Sequence, residues 1–164
     1  MEANPEQLKK IKGIGDANIF GLNLVQSVTR RYLKEQIIGE NYIQSSENVL
    51  DYLRHNLRDR GREVFLVVLL NGRNRVLDIV ELFEGTLTTS AVYPREVIKL
   101  ILEKDAAAVI FVHNHPSGNP NPSKDDQNIT RKLKAACATI DVQLHDHLII
   151  AGNDYTSMAD KGMV

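Results

Sequence analysis

Residues 109–126 read VIFVHNHPSGNPNPSKDD, and this stretch decides how the rest of the chain is interpreted. It begins as an apolar run typical of a buried strand and stops at His113 and His115, which are one residue apart. A loop of Pro, Gly, Asn and Ser follows, and SKDD then opens a helical pattern that contains Asp126. The order of strand, loop and helix is typical of an α/β domain.

The two histidines and the aspartate are the residue types of a zinc site. Side chains two apart on a strand point the same way, about 6.5–7 Å apart at the backbone, so His113 and His115 can converge on one ion. The loop can turn back and deliver Asp126 from the start of the next helix. Two imidazoles and one carboxylate favour Zn²⁺ over Ca²⁺ or Mg²⁺. Three protein ligands leave a fourth position for water, as in catalytic zinc sites.

Two alternatives stay open on these residues alone. Ser123 and Asp126 also fit a capping box, with Ser123 as N-cap and Asp126 three residues later. Capping does not explain two histidines at the end of an apolar strand, where an unpaired imidazole costs free energy. A second pair, His145 and His147 in LHDHL, allows a site of four histidines drawn from two adjacent strands.

Strands and helices alternate on both sides of this stretch. Apolar and β-branched runs predict strands over residues 63–71, 75–85, 107–113 and 142–152. Amphipathic patterns predict helices over residues 45–61, 93–106 and 123–140. NGRN at 71–74 predicts a hairpin turn, and TLTTSAV at 86–92 predicts a short extended segment. The run at 63–71 is too apolar for a strand with one wet face, which predicts a central strand. The result is an α/β domain over residues 37–164.

The first part of the chain, residues 6–35, predicts a helix, a tight turn and a second helix. Apolar side chains follow the turn at helical spacing: Ile19, Leu22, Val25 and Val28. Gly13 and Gly15 permit a turn whose backbone N–H groups could hold a DNA phosphate, and Lys12 adds positive charge. Positive and negative charges nearly cancel in this region, so we expect weak, salt-sensitive contact with duplex DNA. The alternative is that this region is a protein-docking or packing unit.

Composition narrows the class of protein. The chain has 164 residues, 43% hydrophobic and 25% charged, with a net charge of −1, which is ordinary for a globular protein. The single Cys137 excludes an internal disulfide framework and a cysteine-rich zinc finger, and its helical spacing predicts a small buried hydrophobe. No apolar segment approaches the ~20 residues of a membrane span, and no signal peptide is visible. We therefore expect a cytoplasmic protein that does not engage a membrane.

These motifs resemble a known family. HNHPSGNPNPSKDD at 113–126 is similar to the zinc signature of the JAMM (MPN+) metalloproteases, which reads His-x-His-Pro, a loop and then Ser-x-x-Asp. The wider text, FEGTLTTSAVYPREVIKLILEKDAAAVIFVHNHPSG and LHDHLIIAGNDYTSM, resembles the bacterial RadC family over residues 37–164. LKKIKGIGDANIFGL resembles the helix-hairpin-helix element that precedes this domain in RadC proteins. Residues 1–36 are thus expected to form an incomplete segment of that kind.

The resemblance implies a fold and a metal site. The fold is the cytidine-deaminase-like α/β/α layered arrangement around a mixed sheet, preceded by a small helical segment. The metal is Zn²⁺, held by His113, His115 and Asp126. Asp146 and His147 are implied to support the fold or the ligand imidazoles from behind. His145 is a departure from the family pattern.

The resemblance also implies a catalytic apparatus. Ser123 would hold or polarise the water, or stabilise the oxyanion, and a glutamate at the entry to an earlier strand would be the general base and acid. Glu63 in REVFLVVLL fits that description, and Glu81 and Glu84 on the partner strand are the competing candidates.

Three functions follow from these expectations. The first is a zinc hydrolase that cleaves a peptide or isopeptide amide bond in a substrate of unknown identity. The second is a DNA-associated, DNA-repair-linked accessory module that binds through the N-terminal segment. A zinc deaminase is the third and weakest possibility, because such an enzyme would carry a Cys-x-x-Cys pair and this chain has only Cys137. Substrate specificity would lie in loops 84–93 and 116–123, and edge pairing through TLTTSAV would allow a homo-oligomer.

Overall fold

The computed structural model describes residues 5–85 and 92–164. Its elements, in chain order, are α1 (Pro5–Leu8), α2 (Asp16–Ile37), α3 (Ser46–Leu57), β1 (Glu63–Leu70), β2 (Val76–Gly85), α4 (Pro94–Glu103), β3 (Ala108–Asn114), α5 (Lys124–Ala138), β4 (Gln143–Ala151) and β5 (Asp154–Ser157). The extended segment expected at 86–92 lies, except for Val92, outside the described residues.

The sheet is mixed and has the strand order β2-β1-β3-β4-β5. β3 and β4 run parallel, whereas the other neighbouring pairs are antiparallel. β1 lies between β2 and β3, and all its residues except Glu63 are buried, as predicted from its continuous apolar run. The hairpin at 71–74 is also confirmed, since Asn74 N–H donates to the Asn71 carbonyl at 2.9 Å.

Helices cover both faces of the sheet, which gives the expected α/β/α layers. One core forms between α3 and the face of β1 that carries Leu66 and Val68. The other forms between helices α4 and α5 and the face that carries Phe65 and Val67. Cys137 belongs to this second core and is fully buried, as predicted, and burial raises the pKa of its thiol to about 11.

The N-terminal helices differ from the pattern in two respects. α1 is a single turn, and α2 begins at Asp16 after the Gly13–Gly15 turn and extends to Ile37. Ile19 is buried, but its predicted companions are exposed: Leu22 is 53% exposed, Val25 66% and Val28 58%. Helical periodicity predicts the helix, but it does not say whether anything covers its apolar face.

Two further features were not expected. β5 pairs with β4 along the sheet edge, although no strand was predicted in this closing segment. The segment after α2 follows the edge of β2, where Gly39 N–H donates to the Val76 carbonyl at 2.8 Å. None of the helices within residues 5–85 and 92–164 has the length and apolar character needed to cross a membrane.

Candidate metal centre and catalytic site

β3 delivers the two histidines to the end of the sheet. His113 shares a face with Phe111, because side chains alternate along a strand. The backbone N–H of His115 still donates to the Ile150 carbonyl at 2.8 Å, which extends the pairing with β4 past the last residue of β3. The two imidazole rings consequently lie with their centroids 4.8 Å apart, as their spacing predicts.

The start of α5 delivers the carboxylate. Ser123 is the N-cap, and the capping box is complete: Asp126 N–H donates to Ser123 Oγ at 3.1 Å, and Ser123 N–H donates to Asp126 Oδ2 at 2.7 Å. The same box leaves Asp126 Oδ1 facing Nε2 of His113. Capping and metal ligation are therefore compatible, because they draw chiefly on different oxygens of one carboxylate.

Three potential ligand atoms meet at this point. Nε2 of His113 lies 3.0 Å from Nε2 of His115 and 3.1 Å from Asp126 Oδ1, and Nε2 of His115 lies 3.4 Å from Asp126 Oδ2. Atoms bound tetrahedrally to zinc at ~2.0–2.1 Å lie about 3.3 Å from one another. Within residues 5–85 and 92–164, these three side chains form the group that could hold a metal ion.

The charges and protons of the triad suit a cation. Burial by itself raises the pKa of Asp126, but its contacts with the imidazoles of His113 and His115 outweigh it and hold the pKa far below the ordinary range. The pKa of His115 is raised, chiefly because its protonated ring can donate a hydrogen bond to Asp126. Nδ1 of His115 lies 2.7 Å from the carbonyl oxygen of Asn119. Because a carbonyl only accepts, this Nδ1 carries the proton, and in the neutral ring Nε2 is left with its lone pair.

A second layer of side chains lies behind His113. His147 is fully buried, and its Nε2 lies 2.8 Å from Nδ1 of His113. Its Nδ1 lies 2.6 Å from the hydroxyl of Thr130 on α5. The rings of Phe65 and Phe111 pack edge-on against His147 at 5.8 and 6.0 Å. Thr130 was missed from the sequence, because a threonine inside a helix carries no signal of its own.

Asp146 is the neighbour of His147 in the chain, but it contacts β5 and the residues after it. Its Oδ1 accepts from the backbone N–H groups of His147 at 2.6 Å and Ala159 at 2.9 Å, and its Oδ2 accepts from the Ser157 hydroxyl at 2.6 Å. Asp146 thus ties β4 to β5 and to the chain beyond β5.

The alternative site of four histidines does not form. The register of β3 and β4 shifts between Val109 and Ile110, which places His145 in a bulge instead of on the face of His147. Nε2 of His145 bonds to Asn74 Oδ1 at 2.8 Å, on the hairpin between β1 and β2. The bulge breaks the alternation of side chains that a site of four histidines would require.

The sheet register separates the three candidate glutamates. Glu63 pairs with Gly85 and lies two residues before Phe65, which pairs with His113, so Glu63 and His113 share a face. Glu84 pairs with Val64 and therefore lies on the opposite face of the sheet.

Glu81 also lies on that opposite face. It pairs with Leu66, and its carboxylate forms an ion pair with Arg60 at 3.1 Å.

Beside Glu63, a cavity of about 560 Å³ opens between the β1 entry, the end of β2 and the residues after His115. Its lining includes Gly61, Arg62, Glu63, Gly85, Pro116 and Ser117.

Asn114, between the two histidines, points to the other face and holds the entry to β1. Its side-chain Oδ1 accepts from Val64 N–H at 2.7 Å, and its Nδ2 donates to the Arg62 carbonyl at 3.0 Å. The backbone on both sides of Glu63 is thereby fixed to the strand that carries the histidines. No pattern in the sequence indicated this role.

The remaining predicted residues lie as follows. The Ser123 hydroxyl donates to Asp126 Oδ2 at 2.6 Å. Gly13 has a φ of +93°, a left-handed conformation that favours glycine, and Gly15 is the N-cap residue of α2. Lys12 is exposed beside them.

Comparison with known proteins identifies the family of the chain. The family model of the RadC-like JAB domain matches residues 43–163. A UPF0758 protein of Idiomarina loihiensis is 45% identical over 164 residues, which is 100% of this chain and 73% of that protein. UPF0758 proteins of Shewanella baltica and Nitrosomonas eutropha are 43% and 42% identical, over 96% and 99% of this chain and 70% and 72% of their own lengths. The chain therefore belongs to the RadC family, and residues 43–163 are its RadC-like JAB domain.

Proposed function

We propose that this chain is a zinc-dependent hydrolase that cleaves peptide or isopeptide amide bonds. The observation that carries the proposal is the convergence of two Nε2 atoms and a carboxylate within 3.0–3.4 Å. Membership of the RadC family supports it, since JAB domains are often metallohydrolase-like. Imidazole and carboxylate ligands suit zinc, which would supply Lewis-acid polarisation of the scissile carbonyl and of a water nucleophile.

The chain's own residues supply the proton transfers. Glu63 lies on the face of His113, beside the cavity of about 560 Å³, where its carboxylate can take a proton from the attacking water. The same group then delivers that proton to the leaving amine nitrogen, so Glu63 ends the cycle as it began.

Ser123 is the proposed donor to the oxyanion. In the structure its hydroxyl donates to Asp126 Oδ2 at 2.6 Å, and rotation about its Cβ–Oγ bond would redirect this proton toward the developing charge while the oxygen keeps its place in the capping box. The cavity beside Glu63 is the proposed binding site for the substrate on either side of the scissile bond.

The test combines metal analysis with an unbiased peptide-library cleavage screen. We expect about one zinc per chain, and cleavage that a chelator abolishes and added zinc restores. Glu63→Gln should retain zinc and lose at least about 100-fold in cleavage rate, the scale of general acid–base catalysis. Glu84→Gln is the matched control, because this exposed glutamate lies on the opposite face of the sheet. Full cleavage by Glu63→Gln would overturn the assignment of the base, and metal-independent cleavage would overturn the proposal.

A further inference from the structure

We propose that Thr130 and His147 are positioning residues that fix the tautomer of His113, so that its bare Nε2 faces the metal. The inference rests on the metal site of the proposed function but not on hydrolytic activity. It is carried by an unbroken row of hydrogen bonds from the Asp126 carbonyl to the ring of His113.

The direction of each bond follows from its neighbour. The Thr130 hydroxyl has one proton, and it lies 2.5 Å from the Asp126 carbonyl oxygen, which can only accept. Its other short contact, at 2.6 Å, is with Nδ1 of His147. Because the only proton of the hydroxyl is already used, His147 must donate its Nδ1–H to the Thr130 oxygen. With its proton on Nδ1, a singly protonated His147 accepts at Nε2, and the donor there is Nδ1–H of His113 at 2.8 Å. A neutral His113 then has no proton on Nε2.

Burial shields this row of hydrogen bonds from water. His147 is 0% exposed, and Thr130 and His113 are each 1% exposed. A buried donor that loses its acceptor finds no water in exchange. A competing sulfur contact, from Thr130 to Met158 at 3.6 Å, is long and weak beside the 2.5 Å carbonyl bond. The carbonyl of Asp126 therefore sets the polarity of the whole row.

The row also joins elements that are distant in sequence. It runs from α5 through β4 to β3, and it begins on the backbone of Asp126, whose side chain is itself a candidate ligand. His115 relies on a different device, the loop carbonyl of Asn119. Loss of the Thr130 hydroxyl should thus act on His113 and leave His115 in place.

Metal affinity provides the first test. Competition titration of Zn²⁺ against a chromophoric chelator gives the affinity, and the visible absorption of bound Co²⁺ reports the ligand geometry. The near-isosteric Thr130→Val should weaken zinc binding about 10–100-fold, the usual cost of losing such a partner, and should alter the Co²⁺ spectrum. Thr130→Ser restores the hydroxyl and should restore both. Thr139→Val, an exposed position after α5, is the matched control.

The tautomers provide a second test that needs no variant. Long-range ¹H–¹⁵N spectra of the wild-type chain should show His113 and His147 both protonated at Nδ1 alone. Nε2-protonated rings at either position would overturn the proposal, as would wild-type affinity and an unchanged Co²⁺ spectrum in Thr130→Val. Failure to cleave any peptide, with zinc bound and the tautomers as expected, would defeat the hydrolase and leave the positioning role intact.

Discussion

Asn114 offers a quantitative test of how the entry to β1 is held. Its side chain is buried and makes two good hydrogen bonds, at 2.7 Å from Val64 N–H and at 3.0 Å to the Arg62 carbonyl. Asn114→Ala removes both. Val64 is fully buried, so its unpaired N–H should cost about 1–3 kcal/mol, whereas the carbonyl of the exposed Arg62 can turn to water at a net cost of about 1 kcal/mol. The expected loss of unfolding free energy is about 2–4 kcal/mol.

The assay is thermal unfolding of the metal-free protein followed by circular dichroism. A domain of this size loses about 2–4 °C for each kcal/mol, so Asn114→Ala should melt about 4–16 °C lower than the wild type. Asn153→Ala, at an exposed position in the turn between β4 and β5, should stay within about 0.5 kcal/mol of the wild type. A wild-type melting temperature for Asn114→Ala would refute the reasoning, because it would mean that Val64 N–H finds another partner.

Three more predictions use the same protein. Zinc at a thousand times its dissociation constant should add about 4 kcal/mol to the unfolding free energy, measured as a rise in melting temperature. This rise should disappear in Asp126→Asn and persist in the control variant Asp125→Asn. Burial alone raises the pKa of Asp78, but hydrogen bonds from its two lysine partners outweigh it and leave the pKa below its ordinary value. Its stabilisation is therefore present above pH ~4 and lost as the pH falls through the folded-state pKa; Asp78→Asn should cost about 1 kcal/mol at pH 7 and converge with the wild type in acid-unfolding curves. If the N-terminal turn contacts duplex DNA, retention measured by fluorescence anisotropy at low salt should weaken with added salt and in Lys12→Ala; an absence of binding in the wild type would remove this expectation.

Local patterns were enough to predict the candidate metal-binding group. His113 and His115 are two apart on a strand, so their common face follows from the strand's own geometry. Asp126 is fixed by the capping box with Ser123, which spans only four residues. Each of these positions depends on a short segment of chain, and a short segment is what sequence periodicity describes well.

Contacts between distant elements could not be predicted in the same way. Thr130 meets His147 because α5 packs on β4, and Asn114 reaches Val64 across 50 positions of sequence. The bulge at His145 depends on how two strands slide against each other. Such features follow from the packing of whole elements, and a single residue's type carries no mark of them.

The N-terminal region shows a different limit. Helical spacing correctly predicts α2, yet Val25 and Val28 lie exposed. Periodicity reports which side chains share a side of a helix, but the surface that covers that side is a property of tertiary structure.

The double use of the Asp126 carboxylate has a consequence for how the site is filled. The two bonds that begin α5, from Ser123 N–H to Asp126 Oδ2 and from Asp126 N–H to Ser123 Oγ, join groups of the protein alone, so neither needs an ion in order to form. Metal binding should then need no folding step, in contrast to metal-dependent domains that stay unfolded until the metal binds. Metal occupancy would in that case follow the concentration of free metal ions in the cell. When that concentration is low, the protein would stay folded but metal-free and inactive.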